Sequence, residues 1–437
     1  MEINLNDTSQ TISETKDQIF LESFTDPPPS DVSTSLQTVK HHIPLSVLDS
    51  DAVKAVRRLN RFGFDAYLVG GCVRDILLEL DPKDFDVVTS ARPTDVRRLF
   101  RNCRLIGRRF RLAHLLFRDR KVIEVATFRR APTKQDKLIE QHAAENLFGS
   151  QADDAIRRDF TINAIMYDIE HKEIVDWVHG LEDIKARILR TIGDPNRRLP
   201  EDPVRIIRAV KFGVRLDLKF DPPLWEAMKL HAPLVKTCAT ARLVEEVFKL
   251  LRSGFAARCL ELVNKIGLLE QLMPNLKKFT DQFAINPWIF LQKIDDIGKS
   301  GRPMSDSVLL AAMLYTPCEE IISNSDGDDV SAKIEDALKH LVHPLTFTRR
   351  HLAQVRQIML IQRHLQSGPK TRRSKRFLDR DYAVDAIDLY EIISTQRPGD
   401  NLVNQWRKEL SKRYRAATPP YKKRNHHRRR KQPSPPQ

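Results

Sequence analysis

The stretch Tyr67–Val88, YLVGGCVRDILLELDPKDFDVV, decides how this chain is read. It parses as a strand, a Gly70-Gly71 turn, one helix, a turn carrying Pro82, and a second strand. That second strand carries Asp84 and Asp86 with Phe85 between them. Residues i and i+2 of a strand project from one face, so both carboxylates point the same way. Like charges side by side repel, and a shared cation relieves the repulsion. The glycine pair upstream lets backbone N–H groups come close to a phosphate. A nucleoside triphosphate held beside magnesium is the expectation, and the remaining residues test it.

Upstream, residues 1–44 are rich in Ser, Thr, Asp and Glu and contain Pro27-Pro28-Pro29, the composition of a disordered acidic arm. Leu45, Leu48, Val53, Val56 and Leu59 then suit one or two short helices between Ile43 and Phe62. Downstream, Pro93 opens a helix that runs to Phe100. RLAHLLF (Arg111–Phe117) and VIEVATF (Val122–Phe128) read as a hairpin joined by the polar turn Arg118–Lys121. RRDFTINAIMYD (Arg157–Asp168) has helical spacing, and EIVDWV (Glu173–Val178) reads as a closing strand.

Beyond about residue 181 the strand signal disappears and helical patterns follow one another to Leu365. The chain therefore reads as α+β, a head of mixed strands and helices ahead of an all-helical remainder. The acidic turn Asn324–Asp329 lacks the alternating ligand spacing and closing Glu of a calcium loop and reads as an exposed turn. Two basic clusters end the chain, Lys370–Arg376 and a proline-bearing run from Lys412 to Lys431, the latter read as an unstructured cationic tail.

Composition narrows the function classes. The chain has 437 residues, 41% of them hydrophobic and 30% charged, which is ample for several packed domains. The formal net charge of +15 favours a polyanionic partner. Five scattered cysteines without a Cys-x-x-Cys pair point to a reduced, cytoplasmic setting rather than a disulfide framework or structural zinc. No apolar run approaches the roughly 18–20 residues a membrane span needs.

A metal site of this kind commonly uses a third carboxylate, and two residues qualify. Glu124 lies mid-strand in VIEVATF, and Asp159 sits in RRDF. Spacing does not choose between them. A further segment, EDPVRIIRAVKF (Glu201–Phe212), reads as a helix with Asp202 as its N-cap and Pro203 as its first residue. Arg205, Arg208 and Lys211 recur every three residues along one side. Val204, Ile207, Val210 and Val214 supply the buried side. A ladder of cations led by an aspartate can meet a base edge and a triphosphate.

GGCVRD, DFDV, RRDFTINA and EDPVRIIRAVKF, in that order, resemble the class II nucleotidyltransferases of the polymerase-β superfamily. These comprise the bacterial poly(A) polymerases and the CCA-adding enzymes. The resemblance is strong over roughly residues 60–255. The run Leu99–Phe117 and the basic tail look more like the poly(A) polymerases than the CCA-adding enzymes. It implies a polymerase-β-like head at 45–180, a helical neck at 181–255 binding nucleotide and RNA, an RNA-binding helical body at 256–411 and a basic tail at 412–437.

The resemblance also assigns roles. Asp84 and Asp86 would bind Mg2+, with Asp159 also catalytic. Gly71 and Arg74 would lie at the triphosphate, Arg158 would contact the nucleotide, and Asp202 and Arg205 would read the base edge with Arg208 nearby. Lys211 stands where the family usually shows arginine, and Cys72 where it usually shows a smaller residue. The implied activity is adenylyl transfer from ATP to RNA 3′ ends by two-metal in-line attack, with RNA-decay machinery as a partner. A CCA-adding tRNA nucleotidyltransferase and a non-catalytic RNA-binding adaptor are the alternatives.

Overall fold

The computed structural model describes residues 35–107, 112–130, 147–282, 288–299, 301–323, 329–371, 375–394 and 401–417. Its contacts divide the chain into two units, residues 1–277 and 278–437. Most of the acidic turn 324–329, the arm before residue 35 and the tail beyond residue 417 lie outside the described residues.

The first unit is built on an eight-stranded mixed sheet. Its elements run β1 (Gln37–Lys40), α1 (Ser50–Arg61), β2 (Ala66–Val69), α2 (Gly71–Leu77), β3 (Asp86–Thr89), α3 (Pro93–Leu99), β4 (Cys103–Ile106), β5 (Leu112–Leu116), β6 (Val122–Thr127), α4 (Gln151–Ile156), β7 (Met166–Asp168) and β8 (Glu173–Asp176). The strand order is β1-β8-β7-β2-β3-β6-β5-β4. Only β3 and β6 pair in parallel; every other neighbouring pair is antiparallel. The parallel pair sits mid-sheet and aligns Asp86 with Glu124. In β6, Ile123, Val125 and Thr127 are buried while Val122 and Glu124 are exposed, the period-2 pattern of a sheet with one packed face.

Helix α1 shows why sequence spacing works here. Asp49 caps it, accepting hydrogen bonds from the backbone N–H groups of Asp51 and Ala52 at 2.9 and 3.1 Å. Val53, Val56 and Leu59 form its buried stripe. The predicted hairpin of β5 and β6 also forms, with Ala113 opposite Val125 and Leu115 opposite Ile123.

Four expectations need correction. RRDFTINAIMYD is not a helix: a short 3-10 turn at Thr161–Asn163 leads into β7. Residues 159–167 are all buried, whereas an amphipathic helix would show an exposed face within two turns. The end of the acidic arm is ordered, because β1 pairs with β8 at the sheet edge, Gln37 opposite Asp176 through Lys40 opposite Glu173. A two-residue parallel ladder, β9 (Ile188–Leu189) with β10 (Lys219–Phe220), follows the point where strands were expected to cease. Its brevity leaves no periodicity to read. The fourth concerns the tail and is described with the second unit.

Around this ladder come α5 (Gly180–Ala186), α6 (Pro195–Glu201), α7 (Val204–Arg215), α8 (Pro222–His231), α9 (Thr240–Leu251), α10 (Ala256–Lys265), α11 (Leu268–Leu272) and α12 (Pro274–Gln282). In α7, Val204, Ile207, Val210 and Val214 are buried as spaced, and Ile206, Ala209 and Phe212 are buried beside them.

The second unit is helical: α13 (Ile289–Lys299), α14 (Asp306–Ser323), α15 (Val330–Val342), α16 (Arg349–Leu360), α17 (Gln362–Leu365), α18 (Ala383–Ser394) and α19 (Leu402–Ala417). Val308 through Leu314 are all at most 2% exposed, so α14 is enclosed on every side by its neighbours. Trp406 of α19 is fully buried and donates its indole N–H to the Leu365 carbonyl at 3.0 Å. The stretch from Lys412, expected as unstructured tail, stays helical to Ala417. Leu410 is buried just before it, and Lys412 and Arg413 pair with Glu409 and Asp379.

Gly213 tests how α7 is seated. A Cβ built there would lie 2.2 Å from Cζ of Phe220 on β10. Alanine would gain about 1 kcal/mol of helix propensity. Overpacking of this severity costs about 1–3 kcal/mol, so Gly213→Ala should destabilise the first unit in a urea or thermal melt.

Candidate active site

Asp86 opens β3 and lies across from Val69 on one side and Glu124 on the other. Glu124 in turn faces His114 across the hairpin, with Nε2 of the imidazole 3.4 Å from Oε1. Asp84 is placed differently from the expected strand pair. It precedes β3, which begins at Asp86, the residue opposite the last position of β2. Its charge nevertheless acts on Asp86. Asp86 is exposed at the surface, yet the surrounding protein strips much of the water from its carboxylate. Lost hydration, then Glu124 and Asp84, push its carboxyl up to about 6, against the pull of Arg158.

The glycine turn has a steric basis. Gly70 has φ +72°, and a Cβ there would stand 3.3 Å from Nη1 of Arg158 and 3.5 Å from the Asn163 carbonyl oxygen. Only glycine suits both demands. Gly71 begins α2, and its neighbour Cys72 is a buried thiol, pushed up to about 12 by burial, that donates to the Val69 carbonyl. Cys72 is therefore a packing residue.

Behind the turn lies a charged knot. Arg74 is 3% exposed; it donates to Asp75 at 2.6 and 2.8 Å and to Oδ1 of Asn163 at 2.6 Å. Arg158 is held by Asp154 at 2.9 Å and by the Asn163 carbonyl at 3.2 Å. Asp159 is buried and accepts from the Phe160 N–H at 2.8 Å, from Asn163 at 3.0 Å and from Arg208 at 2.6 and 2.8 Å. Burial opposes its charge, but Arg208, Asn163 and the Phe160 N–H outweigh it and hold the carboxyl below its usual range.

The cation ladder on α7 thus divides. Arg208 pairs with Asp159, and Arg215, about two turns further on, pairs with Asp75 at 3.0 Å. Arg74, Arg208 and Lys211 surround the Phe212 ring at 5.0, 5.7 and 4.6 Å, a shared cation–π platform. Burial, then Arg208, with Lys249 and Arg215 behind it, pulls Lys211 down to about 8, Glu246 opposing.

Asp202 does not cap α7, which begins at Val204; its Oδ2 accepts from Arg242 of α9 at 2.7 Å. Arg205 donates to the Arg198 carbonyl at 2.6 Å and leans on Glu201. Arg198 gathers the carbonyls of Arg157 and Arg158 at 3.1 and 2.8 Å, tying Arg205 to the RRD segment.

Sequence reasoning missed Asn163, Arg198 and Arg242. Asn163 sits inside the RRDFTINA motif, which was a usable signal. Arg198 and Arg242 lie outside every motif and are found only through their contacts.

The donor set suits a hard divalent cation: carboxylate oxygens whose mutual repulsion such an ion would relieve. Among the described residues no group of three or more His, Cys, Asp or Glu side chains is gathered as a self-sufficient metal cage.

Comparison with known proteins agrees with this geometry. Residues 66–190 match the Poly A polymerase head domain, and residues 217–280 match the family described as a probable RNA and SrmB-binding site of polymerase A. Poly(A) polymerase I of Haemophilus influenzae is 38% identical over 335 residues, covering 72% of this chain and 74% of its own length. Poly(A) polymerase I of Salmonella typhi is 34% identical over 409 residues, covering 89% and 87%. The crystal structure of the Bacillus stearothermophilus CCA-adding enzyme in complex with CTP superposes with a TM-score of 0.60 at 25% identity, covering 84% of this chain and 82% of that one. A head of this kind joined to these helices, with relatives aligned over most of both chains, places the protein in the poly(A) polymerase I family.

Proposed function

We propose that this protein is a cytoplasmic polynucleotide adenylyltransferase that extends RNA 3′ ends with AMP taken from ATP. The observation that carries the mechanism is the register of β3 and β6, which sets Glu124 beside Asp86 at the end of the strand that Asp84 leads into. Asp84 and Asp86, with Glu124 next to them, would hold Mg2+. Such an ion, when bound, acidifies the attacking 3′-hydroxyl and stabilises the charge on the leaving pyrophosphate.

The protein's own groups do the rest. The Gly70-Gly71 turn carries the backbone past Asp86 and Arg158, and Arg158 and Lys211 bring positive charge to the phosphates. Asp202 and Arg205 offer an acceptor and a donor side by side, the complement of a base edge carrying an amino group next to a ring nitrogen. The 3′-hydroxyl then attacks the α-phosphorus in line, and pyrophosphate leaves on the side of the cations. Arg74, Asp159 and Arg208 support this site from behind: their charges are spent on one another, on Asp75 and on Asn163. Glu124 is accordingly the better third carboxylate.

The division of labour follows the chain. Residues 45–180 perform the chemistry, 181–255 select the nucleotide, and 256–411 with the basic tail hold the RNA backbone electrostatically. Residues 217–280 are the candidate surface for RNA and for a partner from the RNA-decay machinery.

Asp84→Ala and Asp86→Ala proteins should incorporate no measurable AMP into an RNA 3′ end, and Glu124→Gln should lose on the order of 10²-fold in kcat. Full activity in either aspartate variant would sink the mechanism; full activity in Glu124→Gln would move the third carboxylate elsewhere.

Lys211 generates a pH dependence. Its ammonium faces Arg208 and Arg215 of its own helix and Glu246 and Lys249 of α9, and it loses its proton near pH 8. Charge is therefore present below that pH and lost above it, so the KM for ATP should rise between pH 7 and pH 9. Lys211→Arg should flatten the rise, since arginine stays charged throughout.

A further inference from the structure

Helix α9 brings one unexpected side chain to the base-reading pair. Arg242 reaches across from its first turn and donates Nη2 to Oδ2 of Asp202 at 2.7 Å. The other oxygen, Oδ1, is closed off from solvent and has no hydrogen-bond partner among the described residues. Asp202 is the C-cap residue of α6 but not the N-cap of α7, and Pro203 after it contributes no N–H that could steer the carboxylate. Rotation about the outer bond of an aspartate side chain is otherwise soft. Arg242 is thus what sets the plane of this carboxylate. The partner of Asp202, Arg205, is pinned in a similar way by the Arg198 carbonyl and Glu201.

The chemistry of the bases gives this clamp a consequence. Adenine and cytosine both present an exocyclic amino donor beside a ring-nitrogen acceptor on the pairing edge. An acceptor and donor side by side therefore separate both of them from guanine and uracil, but not from each other. What differs is where that edge lies: the purine holds it farther from the ribose and at another angle. Choosing between them requires an acceptor of fixed direction.

We infer that Arg242 is a positioning residue for base selection, which orients Asp202 so that its exposed oxygen meets the amino group of adenine rather than that of cytosine. A carboxylate oxygen has lone pairs for both donors, so Oδ2 can keep Arg242 while accepting the base. This rests on the reading of Asp202 and Arg205 as the base readers.

The test is steady-state kcat/KM for ATP, CTP, GTP and UTP on one RNA oligonucleotide, with wild type, Arg242→Ala, Arg242→Lys and Asp202→Asn, and a thermal melt of each. Arg242→Ala should lower the ATP-over-CTP ratio by about tenfold, mostly through KM, while the preference of both over GTP and UTP persists. Arg242→Lys, which keeps one charged donor, should restore part of the ratio. Asp202→Asn should erode the preference over GTP and UTP as well. If Arg242→Ala leaves the ratio unchanged, or lowers all four nucleotides equally alongside a lower melting temperature, Arg242 is merely structural and the inference fails. If Asp202→Asn leaves every ratio untouched, the underlying reading of the base readers fails instead.

Discussion

The ion pair between Asp159 and Arg208 is the interaction on which the rest of the site depends. Asp159 comes from the segment between α4 and β7, Arg208 from the middle of α7, and their side chains meet at 2.6 Å in a buried setting. A buried carboxylate and guanidinium are costly to leave apart, and removing one partner typically costs about 3–5 kcal/mol. The pair is completed rather than bare: Asn163 and the Phe160 N–H take up the remaining lone pairs of Asp159. Asn163 then passes the connection to Arg74, and Arg74 to Asp75 and Arg215. One network thus fixes the orientation of α7 against the sheet. Because α7 begins two residues after Asp202, it also fixes where Asp202 and Arg205, the proposed base readers, stand relative to Asp86.

That arrangement separates two kinds of charge. The buried charges pair with one another and set geometry, while those left facing solvent are unbalanced in opposite senses. Asp84, Asp86 and Glu124 concentrate negative charge at the end of β3, which adds to lost hydration in lifting Asp86 to about 6. Lys211, pulled down by lost hydration and then by Arg208, is a cation of α7 with no carboxylate bonded to it among the described residues. In the proposed reading, a divalent cation and a triphosphate would each neutralise one of these excesses. Preorganised charge of this kind is the usual source of catalytic power in phosphoryl and nucleotidyl transfer.

Much of this was legible in the sequence because local physics decides it. The Gly-Gly turn, the capped helix α1, the β5–β6 hairpin and the buried stripe of α7 each follow from spacing within one element. The family resemblance was legible for the same reason, through short motifs in order. What spacing could not reach were relations between distant segments. Whether Glu124 or Asp159 stands beside Asp86 depends on the pairing of β3 with β6, which no local pattern encodes. The segment before β7 looked helical because burial on all sides removes the polar alternation that would reveal a strand. Arg198 and Arg242 act through contacts some forty residues from their partners, and isolated arginines in a basic chain carry no signal.

In the proposed function, metal, triphosphate and base meet in one preorganised site that selects adenine. Supplying wild-type protein with Mg2+, a generic RNA 3′ end and each of the four nucleotides in turn tests it most directly. A long A-only product is expected with ATP, and little extension with the other three. Efficient CTP incorporation, followed by a single A on a tRNA lacking its terminus, would contradict it.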